Sequence, residues 1–237
     1  MSGEIVYDMK KDVDALAEKV KAIESGPGVQ NVLWSGGFDS TAIILRHLRA
    51  GLTIQPYYMM HSDGWEKCKR EIVAQEDIRR YLGNPVKLRK PIIWDYDQFQ
   101  RVPGARILLS TLDELADALN LSHQYSALRF CKDVTGFQEP LQVGVVKYDE
   151  LWTNWERIRG NDSFGGPLKK FFAGFEFPVW DKMKRDLWDE NSPMEQEVLR
   201  RTFSCERADG ERRSCVQRGV EYKDRCIPCQ HRIPEVG

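Results

Sequence analysis

VQNVLW at 29–34, SGGFDST at 35–41 and AIILRHLRAG at 42–51 are the stretch on which the fold turns. The first block is a short apolar run of strand length, and it stops where Gly36 and Gly37 interrupt it. From 41 to 49 the period changes to that of a helix: Ile44, Leu45 and Leu48 share one face, and Gly51 is a good terminator. The order is strand, glycine loop, helix.

Reading outward, the pattern repeats. A strand is expected over 52–60, a helix over 66–81 closed by Gly83, a strand over 86–93, a helix over 111–120 and a fourth strand over 124–130. Strands that alternate with helices predict an α/β fold with a parallel sheet and helices on both faces. Further on, the pattern predicts a strand over 143–148, a helix over 150–158, a loop at NDSFGGP (161–167) and short helices over 181–189 and 194–201. Upstream, Val13, Leu16, Val20 and Ile23 recur at helical spacing within 10–24, and Gly26, Pro27 and Gly28 end that helix. Three regions result: an N-terminal helix within 1–28, an α/β domain over 29–200, and a cysteine-bearing tail over 201–237.

Composition narrows the classes of function. The 237 residues are 41% hydrophobic, enough for a full core, and 35 basic groups nearly cancel 36 acidic ones. A net charge of −1 argues against strong non-specific binding to nucleic acid. No apolar run reaches the roughly 18 residues of a membrane span, and the N-terminus lacks a signal-peptide core. The expectation is a soluble, cytoplasmic protein.

The SGGFDST loop has the chemistry of an anion site. Gly36 and Gly37 allow close backbone approach to a ligand. The first amides of the following helix are unpaired, and the helix dipole favours negative charge there. Ser35, Ser40 and Thr41 add hydroxyl donors for phosphate oxygens. Asp39 repels a phosphate unless a cation lies between them, so it implies Mg²⁺. Singly, such residues also serve as a helix cap; the whole string between strand and helix favours a nucleotide. It is not a Walker A loop, since GxxxxGK[ST] does not occur in the chain.

Cys205, Cys215, Cys226 and Cys229 crowd the last 33 residues, with nine, ten and two residues between successive members. Four thiolates in a reducing cytosol predict a closed, structural Zn²⁺ site, with His231 as an alternative fourth ligand.

The loop resembles that of the PP-loop ATP pyrophosphatases, whose signature is SGGxDST after the first strand. The resemblance implies that Ser35, Gly36, Gly37, Asp39, Ser40 and Thr41 hold the pyrophosphate end of ATP with Mg²⁺, and that Met60 and His61 lie near the adenosine. It also implies cleavage between the α and β phosphates and transfer of AMP to a substrate oxygen, which a nucleophile then displaces. With the four-cysteine tail, the chain is similar to the 7-cyano-7-deazaguanine synthase branch, which converts a carboxylate to a nitrile with ammonia. FPVWDKMKRDLW (177–188) followed by TFSCERA (202–208) resembles that family's lysine-bearing segment, which makes Lys182 or Lys184 a candidate at the phosphates. VPGARILLS (102–110) resembles another family segment and gives Arg106 an active-site role. These comparisons make Asp39, Ser40, Arg106 and Lys182 the candidate catalytic set.

The family's tyrosine–proline–aspartate segment has no counterpart, and residues 131–166 differ throughout. The acceptor implied is nucleobase-like, with a protein acceptor left open, and ammonia is the expected donor. Rival readings are a tRNA-modifying PP-loop enzyme and a non-catalytic ATP-sensing subunit, such as occurs in phage defence. A protein partner and a homodimer stay open. Trp152 and Trp155, with Arg157 and Arg159, make a pattern able to stack a base, although tryptophans at helical spacing more often serve packing.

Overall fold

The computed structural model describes residues 28–61, 65–159 and 162–203. The helix expected within 10–24, the cysteines 205, 215, 226 and 229, and His231 lie outside the described residues.

The apolar run 29–34 forms β1 (Val29–Leu33), and α1 (Phe38–Arg49) starts directly after the glycine pair. The chain continues through β2 (Thr53–Met60), α2 (Trp65–Tyr81), β3 (Ile92–Asp95), α3 (Tyr96–Phe99), α4 (Ala105–Ala118), α5 (His123–Val134) and β4 (Leu141–Val143). It then forms α6 (Glu150–Arg159), α7 (Asp162–Phe171), β5 (Phe175–Glu176), α8 (Lys184–Asp189) and α9 (Pro193–Arg200). The five strands make one sheet in the order β3-β2-β1-β4-β5, and every pairing is parallel. Among the described residues no helix is long and apolar enough to cross a membrane.

Strand alternation sends side chains to two separate cores. Val32, Trp34 and Ile54 point to one face, where α1 supplies Phe38, Ile43 and Ile44 and the C-terminal helices supply Trp188 and Leu199. Tyr57, Trp94, Leu141 and Val143 point to the other, against Leu112, Phe130, Leu151 and Phe171. Helices therefore cover both faces, as a parallel sheet requires.

Several elements depart from expectation. The pattern predicts the third strand over 86–93, but it lies at Ile92–Asp95, with an isolated bridge between Ile54 and Leu88 before it. Two prolines explain the shift. Pro56 has no N–H to give toward β3, and Pro91 has none to give back. The gap is closed by the Gln55 side chain, whose amide donates to Lys90 O at 3.0 Å, while Val86 is left 96% exposed.

Residues 124–130 are helical, not a fourth strand. Ser122 caps α5 by accepting from Gln124 N, and burial of Ala127, Phe130 and Cys131 follows the helical period. The fourth strand is Leu141–Val143. Of the loop expected at 161–167, residues 162–167 belong to α7: burying Leu168 and Phe171 outweighs the poor helix propensity of Gly165, Gly166 and Pro167. The helix expected over 181–189 begins at Lys184, where the Asp186 carboxylate accepts from Met183 N at 2.7 Å.

A candidate nucleotide site at the switch point

The strand order places the SGGFDST loop. From β1 the chain winds to β2 and β3, then crosses back to lay β4 on the other side of β1. In open α/β sheets the crevice at this reversal, beyond the carboxyl ends of the strands, is where ligands bind. Loop 35–37 leaves β1 there, and residues 144–149 leave β4 on the opposite side. The two segments touch: a Cβ on Gly144 would lie 2.7 Å from Ser40 N and 2.9 Å from Asp39 C.

The loop is braced from below. Gly36 has φ +73, and a Cβ there would sit 2.7 Å from Glu71 O, so both its conformation and its surroundings require glycine. Gln75 Nε2 donates to Trp34 O at 2.7 Å, and Phe203 N donates to Gly36 O at 3.0 Å. Trp34 donates its indole N–H to Thr41 Oγ1 at 3.0 Å. Thr41 is fully buried, so its hydroxyl holds the loop from inside. Ser35 is half-buried, and the buried Ser40 hydroxyl lies 3.3 Å from its Oγ and donates to Gly37 O at 3.3 Å, while Gly37 N donates to Ser35 Oγ at 3.3 Å.

Helix α1 has Gly37 at its N-cap, which supplies no side-chain acceptor. Its N-terminal turn faces the crevice with the positive end of the helix dipole. Asp39 stands in this first turn. Its carboxylate lies 3.6 Å from Lys184 Nζ, with both side chains largely buried. Oδ1 is buried and has no hydrogen-bond partner among the described residues. Burial pushes the Asp39 carboxyl up to about 6; Lys184 opposes this and Asp149 adds to it. A buried, half-satisfied carboxylate is costly, and a cation is the natural partner for its free oxygen.

Mg²⁺ needs only one or two protein carboxylates when phosphates complete its shell. The residues fit that demand, with Asp39 as ligand and Asp149 close by. Among the described residues no group of three His, Cys, Asp or Glu is placed to hold a metal without such phosphates.

The other predicted residues fall at differing places. Of the two lysines, Lys184 meets Asp39, whereas Lys182 Nζ pairs with Glu190 Oε1 at 2.7 Å on the surface. Lys184, not Lys182, is therefore the lysine that the fold brings to Asp39. Met60 ends β2 and His61 follows it, on the carboxyl rim two strands from β4. Arg106 is exposed in the first turn of α4, on the same rim but beyond the edge strand β3.

Gly144 and Asp149 did not stand out in the sequence. Their signal is slight: a glycine directly after a short apolar strand, in VGV at 143–145, with the carboxylate five residues on. The arrangement offers an anion cradle on α1, a cation position at Asp39 and a fixed ammonium at Lys184. The chain matches no protein-family model, and no curated protein matches it.

Proposed function

We propose that this protein binds Mg·ATP in the crevice between β1 and β4 and transfers AMP to a carboxylate or carbonyl oxygen of an acceptor. The observation that carries the reading is the buried Asp39 Oδ1, without a hydrogen-bond partner among the described residues, in the first turn of α1. An anion site and a cation ligand side by side are what a metal–pyrophosphate group requires.

The α1 amides and the Ser35 and Ser40 hydroxyls hold the β- and γ-phosphates. Asp39 would hold Mg²⁺, which would supply positive charge to the pyrophosphate. The acceptor oxygen attacks the α-phosphorus, the bond from that phosphorus to the α,β-bridging oxygen breaks, and pyrophosphate leaves with both electrons. Ammonia then adds at the activated carbon, loses a proton and expels AMP, which gives the amide; a second ATP adenylates the amide oxygen, and loss of both N–H protons with departure of AMP gives the nitrile. Lys184, held 3.6 Å from Asp39, places positive charge where charge develops in the first step.

The sheet order and the loop together favour the PP-loop type of α/β fold, with the cysteine tail as a Zn²⁺ module and a cytoplasmic setting. The reaction class is that of 7-cyano-7-deazaguanine synthase, with a nucleobase-like acceptor.

The experiment is turnover of ATP with 7-carboxy-7-deazaguanine and ammonia, following AMP, pyrophosphate and the mass of the base together. AMP with the nitrile is the expected result. AMP and pyrophosphate with an unchanged base keep the adenylation and redirect the search to another acceptor. ATP binding with no AMP under any acceptor overturns the catalytic reading in favour of a nucleotide-sensing subunit.

A further inference from the structure

Residues 144–149 leave β4 at the crevice, where Gly144 meets α1 and Asp149 is near enough to raise the Asp39 carboxyl, and nothing in the ATP chemistry uses the rings of Tyr148 and Trp152 beside them. Tyr148 adopts φ +71, a left-handed conformation that a residue with a Cβ seldom takes. Its neighbours hold it there. Val146 N donates to Asp149 Oδ2 at 3.1 Å, Asp149 N donates to Val146 O at 3.1 Å, and Lys147 N donates to Lys182 O at 2.8 Å. Such over-determined strain clusters at sites that bind or react.

The turn lifts the Tyr148 ring into solvent, 54% exposed, although a ring of that size ordinarily packs inward. The Trp152 ring meets its edge at 5.1 Å and 65°. Lys147 Nζ lies 5.5 Å from the first ring centroid and 6.0 Å from the second. Trp155, one turn further along α6, packs among Phe172, Phe177 and Trp180, and Trp152 is partly buried against the same core, so of these rings Tyr148 is the exposed one.

We propose that Tyr148, Trp152 and Lys147 are the acceptor platform: the Tyr148 ring stacks a flat aromatic ring, and the Lys147 ammonium pairs with the anionic group that the ring carries. The assignment of that ring to the acceptor rests on the nucleotide reading of the neighbouring loop; the platform itself does not. The turn carries two residues that suit a flat acid. Stacking tolerates any π-face, and an ammonium already poised over two rings gains a counter-charge without reorganising. A saturated acid of similar size loses the stacking, and a flat amide loses the charge.

The test is direct calorimetric binding of 7-carboxy-7-deazaguanine, indole-3-carboxylate, indole-3-carboxamide and cyclohexanecarboxylate, with Mg·ATP titrated separately. The two flat acids are expected to bind the wild type, and cyclohexanecarboxylate is not. Tyr148→Gly suits the φ +71 backbone and so keeps the fold. It is expected to weaken both flat acids by tenfold or more, whereas Tyr148→Phe stays within about twofold of wild type. Lys147→Met is expected to weaken the flat acids and leave indole-3-carboxamide unchanged.

Equal binding of the flat acids by wild type and Tyr148→Gly, or no binding of either acid to the wild type, overturns the platform. If flat acids bind as expected while Mg·ATP does not, the platform stands and the nucleotide reading falls.

Discussion

Asp39 carries charge where charge is costly, and that cost makes it the residue to test first. Asp39→Ala is expected to reduce pyrophosphate release by at least a hundredfold, with circular dichroism and melting temperature showing an intact fold; unchanged turnover removes Asp39 from the chemistry. The two lysines separate in the same assay. Lys184→Met takes away the cation beside Asp39 and is expected to lower AMP formation about 10- to 100-fold, whereas Lys182→Met, whose ammonium is engaged by Glu190, stays within about threefold.

Glu71 gives a prediction about pH. It is buried, accepts from Tyr58 Oη at 2.7 Å, and burial pushes its carboxyl above the ordinary value against the opposing pull of Lys67 and Tyr58. The folded state therefore holds the proton more tightly than the unfolded chain does. Its stability contribution is full below the unfolded value of about 4.3 and is lost as pH rises through the raised folded value. Glu71→Gln keeps an acceptor for Tyr58 without the charge. It is expected to raise the melting temperature at pH 7.5 by roughly 2–4 °C, equivalent to about 1 kcal/mol, and to leave it unchanged near pH 4. A pH-independent difference counts against this assignment. The ion pair lost with Lys67, at 4.0 Å and part-exposed, contributes little.

At the scale of elements, the site is where two loop–helix units meet. Gly144 faces backbone of α1, so Gly144→Ala must push residues 39–40 aside. It is expected to raise the Kd for Mg·ATP tenfold or more while the sheet, read by circular dichroism, stays formed; wild-type affinity means that the two segments separate freely. Sequence was a good guide to elements whose cause is local. The loop, α1, β2 and α2 were legible because apolar period, glycine breaks and chain order agree. β3 was misplaced because its start depends on Pro56, a residue of the neighbouring strand, meeting Pro91 across the gap. Residues 124–130 carry enough alternation for a strand, and only the burial of Phe130 and Cys131 against the second core shows that a helix wins. Glycines 165 and 166 with Pro167 have loop propensity, and Leu168 and Phe171 override it by what they bury against.

For the whole molecule, the link between body and tail is the testable feature. The described chain reaches Phe203, whose N–H bonds the Gly36 carbonyl and whose ring lies under Arg70 at 5.9 Å. The cysteines begin two residues later. Elemental analysis is expected to find one zinc per chain. Chelation or Cys226→Ser is expected to lower the melting temperature and to weaken Mg·ATP through that attachment. Zinc-free protein of unaltered stability and ATP affinity refutes both.

By itself the sequence determined the class of fold and the position of the glycine loop between β1 and α1. Both follow from local causes: a buried strand, two glycines, a helix start and a repeating period. Tertiary structure decided which lysine meets Asp39, that Gly144 and Asp149 share its crevice, and that Tyr148 rather than Trp155 faces solvent. These are facts of proximity between residues up to 145 positions apart, and side-chain chemistry read along one chain contains no measure of distance across a sheet that reverses its strand order.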